Sequence, residues 1–288
     1  MGGKTFVVSL PSEWVKKYEI HKGEELDLEI RGDSVVVRTE KFIQTDDLEV
    51  NMSKLNGMLG RAVGAIYKAG YNQAKIIFEG PEQLRTIEET LARTGIGFEI
   101  IKEEKNYVVV KNIVKTDASE FDNSLRRLFY TLEVMGWDLA EAKTSEDLER
   151  IISKDDQVNR LADFCRRILN LGDTKFVFKP HVIYYVVEQL ERIGDLYKKL
   201  AKRMLKDSGL CDADLKDMFL KTQGFLVQFR ELFYNFEMGK FENFGGTFSL
   251  FVSKLEALED RDPFIVFNLR CLLETIFDMN GALLTVKI

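Results

Sequence analysis

The spacing of hydrophobic residues changes twice along the chain and divides it into three parts. In residues 1–41 hydrophobic and polar residues alternate with a period of two, which predicts strands over Thr5–Ser9, Leu26–Ile30 and Ser34–Val37. Gly32 and Asp33 form the turn between the last two strands, and Pro11 opens a short helix after the first. So short a segment cannot bury a hydrophobic core of its own. We therefore expect it to pair with a second copy of itself or to pack on its neighbour.

The second part, residues 42–116, mixes the helical and the strand period. Helices are predicted over Ser53–Ala69 and from Pro81 to Arg93. Strands are predicted over Ala74–Phe78, Gly97–Lys102 and Tyr107–Ile113. The predicted order αβαββ indicates a small open sheet that serves as a spacer domain.

The third part, residues 117–288, has a period of 3.6 almost throughout, which predicts helices with short connections and therefore antiparallel neighbours. Six helices are predicted: Phe121–Ala142, Ser145–Asn170, Pro180–Lys206, Ala213–Met238, Phe241–Leu258 and Pro263–Leu284. The fold class is thus multidomain. A β-rich hairpin domain (1–41) and an α/β spacer domain (42–116) precede an all-α six-helix bundle (117–288).

The helices that begin at Pro180 and Pro263 are similar in sequence and align without gaps at an offset of 83 residues. The alignment pairs Glu191 with Glu274 and Asp195 with Asp278. Repetition on this scale predicts two copies of a three-helix unit, at about 117–208 and 209–288.

Each of these repeated pairs places two carboxylates one helical turn apart, on one face and roughly 6 Å from each other. Like charges at that spacing repel, whereas a hard cation such as magnesium, manganese or iron would bind both. Glu29/Asp33 and Glu256/Asp260 have the same spacing, so the spacing alone carries no weight. The matching position in the repeat is what distinguishes the two pairs, and a solvated acidic face is the alternative.

Further ligands for a metal would have to come from a facing helix. In the first three-helix unit Asp155 and Asn159 are also four residues apart, early in the second helix. The corresponding part of the second unit has Glu242 and Asn243 but no clean pair. The first predicted metal site is therefore better founded than the second.

Composition and charge exclude several classes of protein. The net charge is −6, which does not suit a protein that binds nucleic acid through its bulk charge. No apolar stretch approaches the roughly 20 residues of a membrane span, and no secretory signal is apparent. Cys165, Cys211 and Cys271 lack the spacing of a disulfide framework or a zinc finger. We expect a soluble, cytoplasmic protein that is not inserted into a membrane.

The repeated motif resembles the PhoU family of phosphate uptake regulators. Leu190-Glu191-Arg192-Ile193-Gly194-Asp195 is the close match, and the segment from Leu273 to Asp278 is a looser one. The segment Asp155–Leu161 is similar to the family's second-helix motif, with Asn159 where an acid is usual. The resemblance implies two three-helix repeats and an iron or zinc cluster held by Asp155, Glu191, Asp195, Glu274 and Asp278. It also implies a phosphate transporter subunit, a sensor protein or promoter DNA as partners.

The front of the chain, from Thr5-Phe6-Val7-Val8-Ser9-Leu10-Pro11 to Lys22-Gly23-Glu24-Glu25-Leu26, is similar to the AbrB/SpoVT/MazE swapped-hairpin domain. That resemblance implies an interlaced homodimer whose basic residues touch DNA. The basic strand that usually comes first is missing here, which leaves Lys4, Lys16, Lys17 and Lys22 as phosphate contacts. The alternative is a domain that only dimerises.

Together these features predict a non-enzymatic, metal-binding regulator of phosphate uptake. A carboxylate-bridged di-iron oxidase is the main alternative, but that class uses Glu-x-x-His pairs and neither His21 nor His181 is so placed. A metal-free structural dimer is the third hypothesis.

Overall fold

The computed structural model of the 288-residue chain describes residues 6–31, 33–39, 47–114, 118–171, 179–207, 212–258 and 260–288. The chain forms two compact units, Met1–Asp46 and Asp47–Ile288. The predicted domain boundaries at 41/42, 116/117 and 208/209 all lie outside the described residues.

The first unit contains helix α1 (Ser12–Lys17) and an antiparallel hairpin of β1 (Asp27–Arg31) and β2 (Ser34–Arg38). This confirms the predicted hairpin and helix. The predicted strand at Thr5–Ser9 is wrong over residues 6–9, which belong to no strand, while Thr5 lies outside the described residues. A strand exists only where a neighbour offers hydrogen bonds. Among the described residues of one chain, β1 and β2 bond only to each other.

The α/β part of the second unit begins with a strand that the pattern did not predict. Its elements are β3 (Leu48–Asn51), α2 (Leu59–Lys68), β4 (Gln73–Ile77), α3 (Pro81–Thr94), β5 (Phe98–Glu104) and β6 (Tyr107–Asn112). The strand order is β3-β4-β6-β5, with β3 parallel to β4 and β6 antiparallel to both of its neighbours. The observed order is therefore βαβαββ and not αβαββ. Four residues carry too little periodicity to be recognised, and it is the pairing with β4 that makes them a strand.

Helix α2 also begins six residues later than predicted, at Leu59 instead of Ser53. The side chain of Gln83, on α3, donates through Nε2 to the carbonyl oxygens of Ser53 and Leu55, at 3.0 and 2.8 Å. Gln83, which is distant in sequence, therefore donates to carbonyl oxygens that would accept backbone hydrogen bonds in a longer helix.

The remaining residues form α4 (Phe121–Glu141), α5 (Ser145–Leu171), α6 (Pro180–Lys206), α7 (Ala213–Tyr234), α8 (Met238–Glu256) and α9 (Pro263–Lys287). All six predicted helices are thus confirmed, with ends within four residues of the prediction. They share one hydrophobic core. Within α4–α6 and within α7–α9 each helix packs on the other two, while α4 packs on α7 and α6 on α9. None of the helices in the described part of the chain is long and apolar enough to span a bilayer.

Helix α5 joins the helices to the α/β part through a fully buried arginine. Arg167 donates to the carbonyl oxygens of Tyr67 and Tyr71 at 2.7 and 3.0 Å and to the side-chain oxygen of Asn72 at 3.2 Å. Asn170 donates to the carbonyl of Lys68 at 2.9 Å. A positive charge at the C-terminal end of α2 is favoured by the helix dipole and by the unpaired carbonyls there. Residues 47–288 therefore form one compact unit.

We predict that Arg167→Met lowers the free energy of unfolding by about 3 kcal/mol, because it removes the charged donor of the hydrogen bonds to Tyr67, Tyr71 and Asn72. Urea denaturation followed by circular dichroism measures the change. Exposed Arg160, on the same helix, is the matched control, and Arg160→Met should change stability by less than about 0.5 kcal/mol. Equal effects of the two substitutions would contradict this role of Arg167.

Candidate functional site

Several hydrophobic side chains of the first unit are exposed, and none of those described is fully buried. Six of them are between 62% and 93% exposed: Phe6, Val7, Val8, Leu28, Ile30 and Val35. No residue of α1 is buried. Trp14 and Tyr18 pack on each other, with ring centroids 5.6 Å apart. The described residues of a single copy of this unit therefore form no hydrophobic core, in line with the expectation from its length.

The predicted DNA contacts lie around this unit. Lys16 and Lys17 are exposed in the last turn of α1, and Lys22 is exposed in the turn before β1. Glu24 accepts a hydrogen bond from the backbone N–H of His21 at 2.9 Å and so fixes that turn. Lys4 lies outside the described residues. Three of the four lysines are thus exposed on the first unit.

The first predicted metal site lies between α5 and α6, which run antiparallel. Asp155 is 1% exposed, and its Oδ2 contacts the ammonium of Lys198 and accepts a hydrogen bond from Nδ2 of Asn159 at 3.1 Å. The other oxygen of Asp155, Oδ1, is buried and has no hydrogen-bond partner in the described part of the chain.

Glu191 also lies in the groove between α5 and α6, nearer to the C-terminal end of α5, beside a second cation. The guanidinium of Arg166, on α5, is 2.5 Å from Glu188, 2.7 Å from Asp163 and 3.7 Å from Glu191. Burial raises the pKa of Glu191, Arg166 opposes that rise, and the negative charge of Asp195 adds to it. Burial would lower the pKa of Arg166, but the charges of Glu188 and Asp163 raise it overall. Asp195 is half-buried one turn beyond Glu191.

The contacts Asp155–Lys198 and Arg166–Glu188 fix the register of α5 against α6. In this register Asn159, four residues after Asp155, lies near the level of Asp195. Asp155, Asn159, Glu191 and Asp195 thus line one groove. The groove also contains Arg166 and Lys198.

The acids of the second three-helix unit, α7–α9, are dispersed. Glu274 is paired with Arg270 at 3.0 Å, while Asp278 is exposed and acts electrostatically on Tyr185 of α6. Glu242 is exposed on α8. The ring of Phe248 stacks on that of Phe277 with centroids 4.0 Å apart. Glu242 lies six residues before Phe248 and hence about 9 Å along the helix from this contact.

The seven predicted ligands therefore do not form one ligand set. No group of three His, Cys, Asp or Glu side chains suited to a metal ion occurs among the residues that the structure describes. Glu191 faces α5 and Glu274 pairs within α9, so the acids of the two units do not meet. This arrangement does not fit a cluster with ligands from both repeats. His21 and His181 lie exposed in different units.

Sequence reasoning missed the cations that accompany these acids. Neither Arg166 nor Lys198 was singled out, and Lys68 of α2, 3.6 Å from Asp163, was also missed. The adjacent arginines 166 and 167, in the last two turns of an otherwise amphipathic helix, were the one available signal. Helical geometry places them about 100° apart, so they point to different neighbours.

Comparison with known proteins gives one match. Residues 1–44 match the family described as antidote-toxin recognition MazE, bacterial antitoxin. This confirms the AbrB/MazE-like assignment of the front segment. No curated protein and no solved structure matches the chain. The class of the N-terminal domain is thereby defined, and a largely helical region follows it.

We predict that Glu191→Gln is at least as stable as the wild type at pH 7. Burial raises the pKa of Glu191 above its ordinary value of 4.5, so the ionised form is disfavoured in the folded state and this cost appears as pH rises. The difference in stability between the two proteins should vanish below about pH 4, where Glu191 is protonated in both the folded and the unfolded state. Thermal unfolding across pH 4–8 measures it.

The matched control is Glu149→Gln, at an exposed position of α5. A Glu191→Gln protein that loses stability at pH 7, by the amount that a chelator removes from the wild type, would instead identify Glu191 as a metal ligand.

Proposed function

We propose that this chain is a dimeric, non-enzymatic regulator of the PhoU type that controls phosphate uptake. On this proposal the N-terminal domain joins two copies and contacts DNA, and the helical region carries the signal. The observation that carries the proposal is a MazE-like match over residues 1–44, whose described residues form no core, followed by six helices in which α4–α6 and α7–α9 each pack together.

Dimerisation through the first unit is supported by its exposed hydrophobic side chains. Residues 6–9 have the alternation of a strand but lack a neighbour, while Leu28 and Ile30 of β1 are exposed. A second copy would supply the missing strand and bury both sets of residues. The occupant we propose for this surface is therefore the same segment of another copy.

Contact with DNA is supported by position more than by total charge. Lys16, Lys17 and Lys22 are exposed on one small unit, and dimerisation would double their number. Acidic Glu13 and Glu19 lie nearby in sequence. Binding should therefore be weak and sensitive to salt.

The PhoU-like assignment of the helices is supported by the way α6 and α9 pack. Lys179 contacts the carbonyl of Thr285, and Arg203 lies 2.7 Å from Asp262, so the two helices are antiparallel. Glu191 lies 12 residues from both Lys179 and Arg203. Glu274 lies 12 residues from Asp262 and 11 from Thr285. Glu191 and Glu274 thus lie at the same level, near the midpoint of the contact between α6 and α9, although their side chains have different partners. An internal twofold axis would produce this arrangement.

The other helices follow the same arrangement. Helix α4 packs on α7, its counterpart in order. Among these six helices α5 packs chiefly on α4 and α6, and α8 chiefly on α7 and α9. Pro180 and Pro263 both occupy the first turn of their helices. These features support an ancient duplication. The phosphate transporter or sensor partner follows from the resemblance.

We predict that dimerisation and DNA contact can be separated by substitution. Ile30→Asp should convert a dimer into a monomer by light scattering, because it places a charge in the proposed interface. His21→Asp, at an exposed turn position of the same unit, should leave the dimer intact.

For the DNA contact, Lys16→Gln/Lys17→Gln should keep the dimer. The slope of log affinity against log salt should fall by about two per subunit in anisotropy titrations. Lys105→Gln/Lys143→Gln, at exposed positions outside the first unit, is the control. Absence of any anisotropy change with duplex DNA would reduce this unit to a dimer joint.

For the cellular role, we predict that cells lacking the chain take up more inorganic phosphate when phosphate is abundant, since a repressing regulator has been removed. Uptake of labelled phosphate measures this. Wild-type chain should restore control and Ile30→Asp should not. Identical uptake with and without the chain, at high and low phosphate, would refute the phosphate role while leaving the dimer and DNA results standing.

A further inference from the structure

The buried acid of the α5/α6 groove has a counter-ion from its own chain. Asp155 is 99% buried, and the ammonium of Lys198 contacts its Oδ2 from the facing helix. Asn159 adds one neutral donor at 3.1 Å. An ionised carboxylate at this depth is stable only with a paired positive charge and hydrogen bonds.

A second cation, Arg166, performs the same task near the C-terminal end of α5. The side chain of Arg166 is 4% exposed and lies within 3.7 Å of Asp163, Glu188 and Glu191. Lys68 of α2 approaches Asp163 from the other side at 3.6 Å. The carboxylates gathered in this groove are thus interleaved with cationic side chains along its length.

The second three-helix unit, α7–α9, has a similar pairing of acids with a cation at its surface. Arg270 lies 3.0 Å from Glu274 and 3.7 Å from Glu256, and so bridges the repeated glutamate to the middle helix of its unit, α8. In both three-helix units the repeated glutamate is therefore paired with an arginine. Arg166 links α5 to α6, and Arg270 links α8 to α9.

We propose that Lys198 and Arg166 are resident counter-ions that take the place of a metal ion in the α5/α6 groove, so that the first three-helix unit reaches full stability without metal. The PhoU resemblance implies a metal cluster at these acids, and this chain departs from that pattern. The inference rests on the observed ion pairs and is independent of the proposed dimer, DNA and phosphate roles.

The test compares thermal unfolding of full-length wild-type protein in chelator with that in added manganese or zinc. Its Tm should be the same in all three conditions within about 1 °C. Lys198→Met should lower the Tm by about 10 °C, because Asp155 is left buried without a cation. Lys199→Met, at the next and exposed position of α6, should have no effect. Adding Asp155→Asn to Lys198→Met should recover most of the loss.

Two results would overturn the proposal. The first is wild-type protein that carries stoichiometric metal by elemental analysis and loses that metal together with many degrees of Tm in chelator. The second is Lys198→Met that is no less stable than Lys199→Met. If Lys198→Met does not fold, the wild-type chelator series and the Lys198→Met/Asp155→Asn protein still decide the question.

Discussion

Helix α5 carries charged side chains into the interior on more than one of its faces, and residues 47–288 depend on each of those charges meeting its partner. Arg167 satisfies the carbonyl end of α2. Arg166 gathers Asp163, Glu188 and Glu191, and Asp155 receives Lys198 from α6. A buried charge without its partner costs several kcal/mol, so these contacts fix the rotation and register of α5 in a way that apolar packing alone would not.

The same helix explains why the α/β part and the helices behave as one body. Its last turns pack simultaneously on α6 and on α2, and Gly70, with a φ of +93°, lets the chain turn tightly beneath Leu171. A side chain at Gly70 would meet Leu171 at 2.8 Å. Helix α8, the counterpart of α5 in the proposed repeat, buries only two residues, Phe244 and Leu255, among those described. The two middle helices, α5 and α8, thus differ in how many of their described residues are buried.

The first unit is subject to a different constraint. None of its described residues belongs to a hydrophobic core, and several of its hydrophobic side chains are exposed in a single chain. Residues 47–288, in contrast, have hydrophobic cores of their own. If two copies associate as proposed, the stability of the N-terminal domain depends on that association.

The sequence by itself determined the elements whose signals are local. Period and proline position sufficed for the six helices, the hairpin and most strands of the sheet, because side-chain burial follows helical and strand geometry. It also aligned Glu191 with Glu274, which remains a prediction of equivalence. Tertiary structure alone decided strand β3, the late start of α2 and the pairing of Asp155 with Lys198. Each of these depends on a partner distant in sequence: β4, Gln83 and the facing helix. Spacing along one helix shows which charges share a face, but whether a cation from the same chain neutralises them depends on how two helices pack.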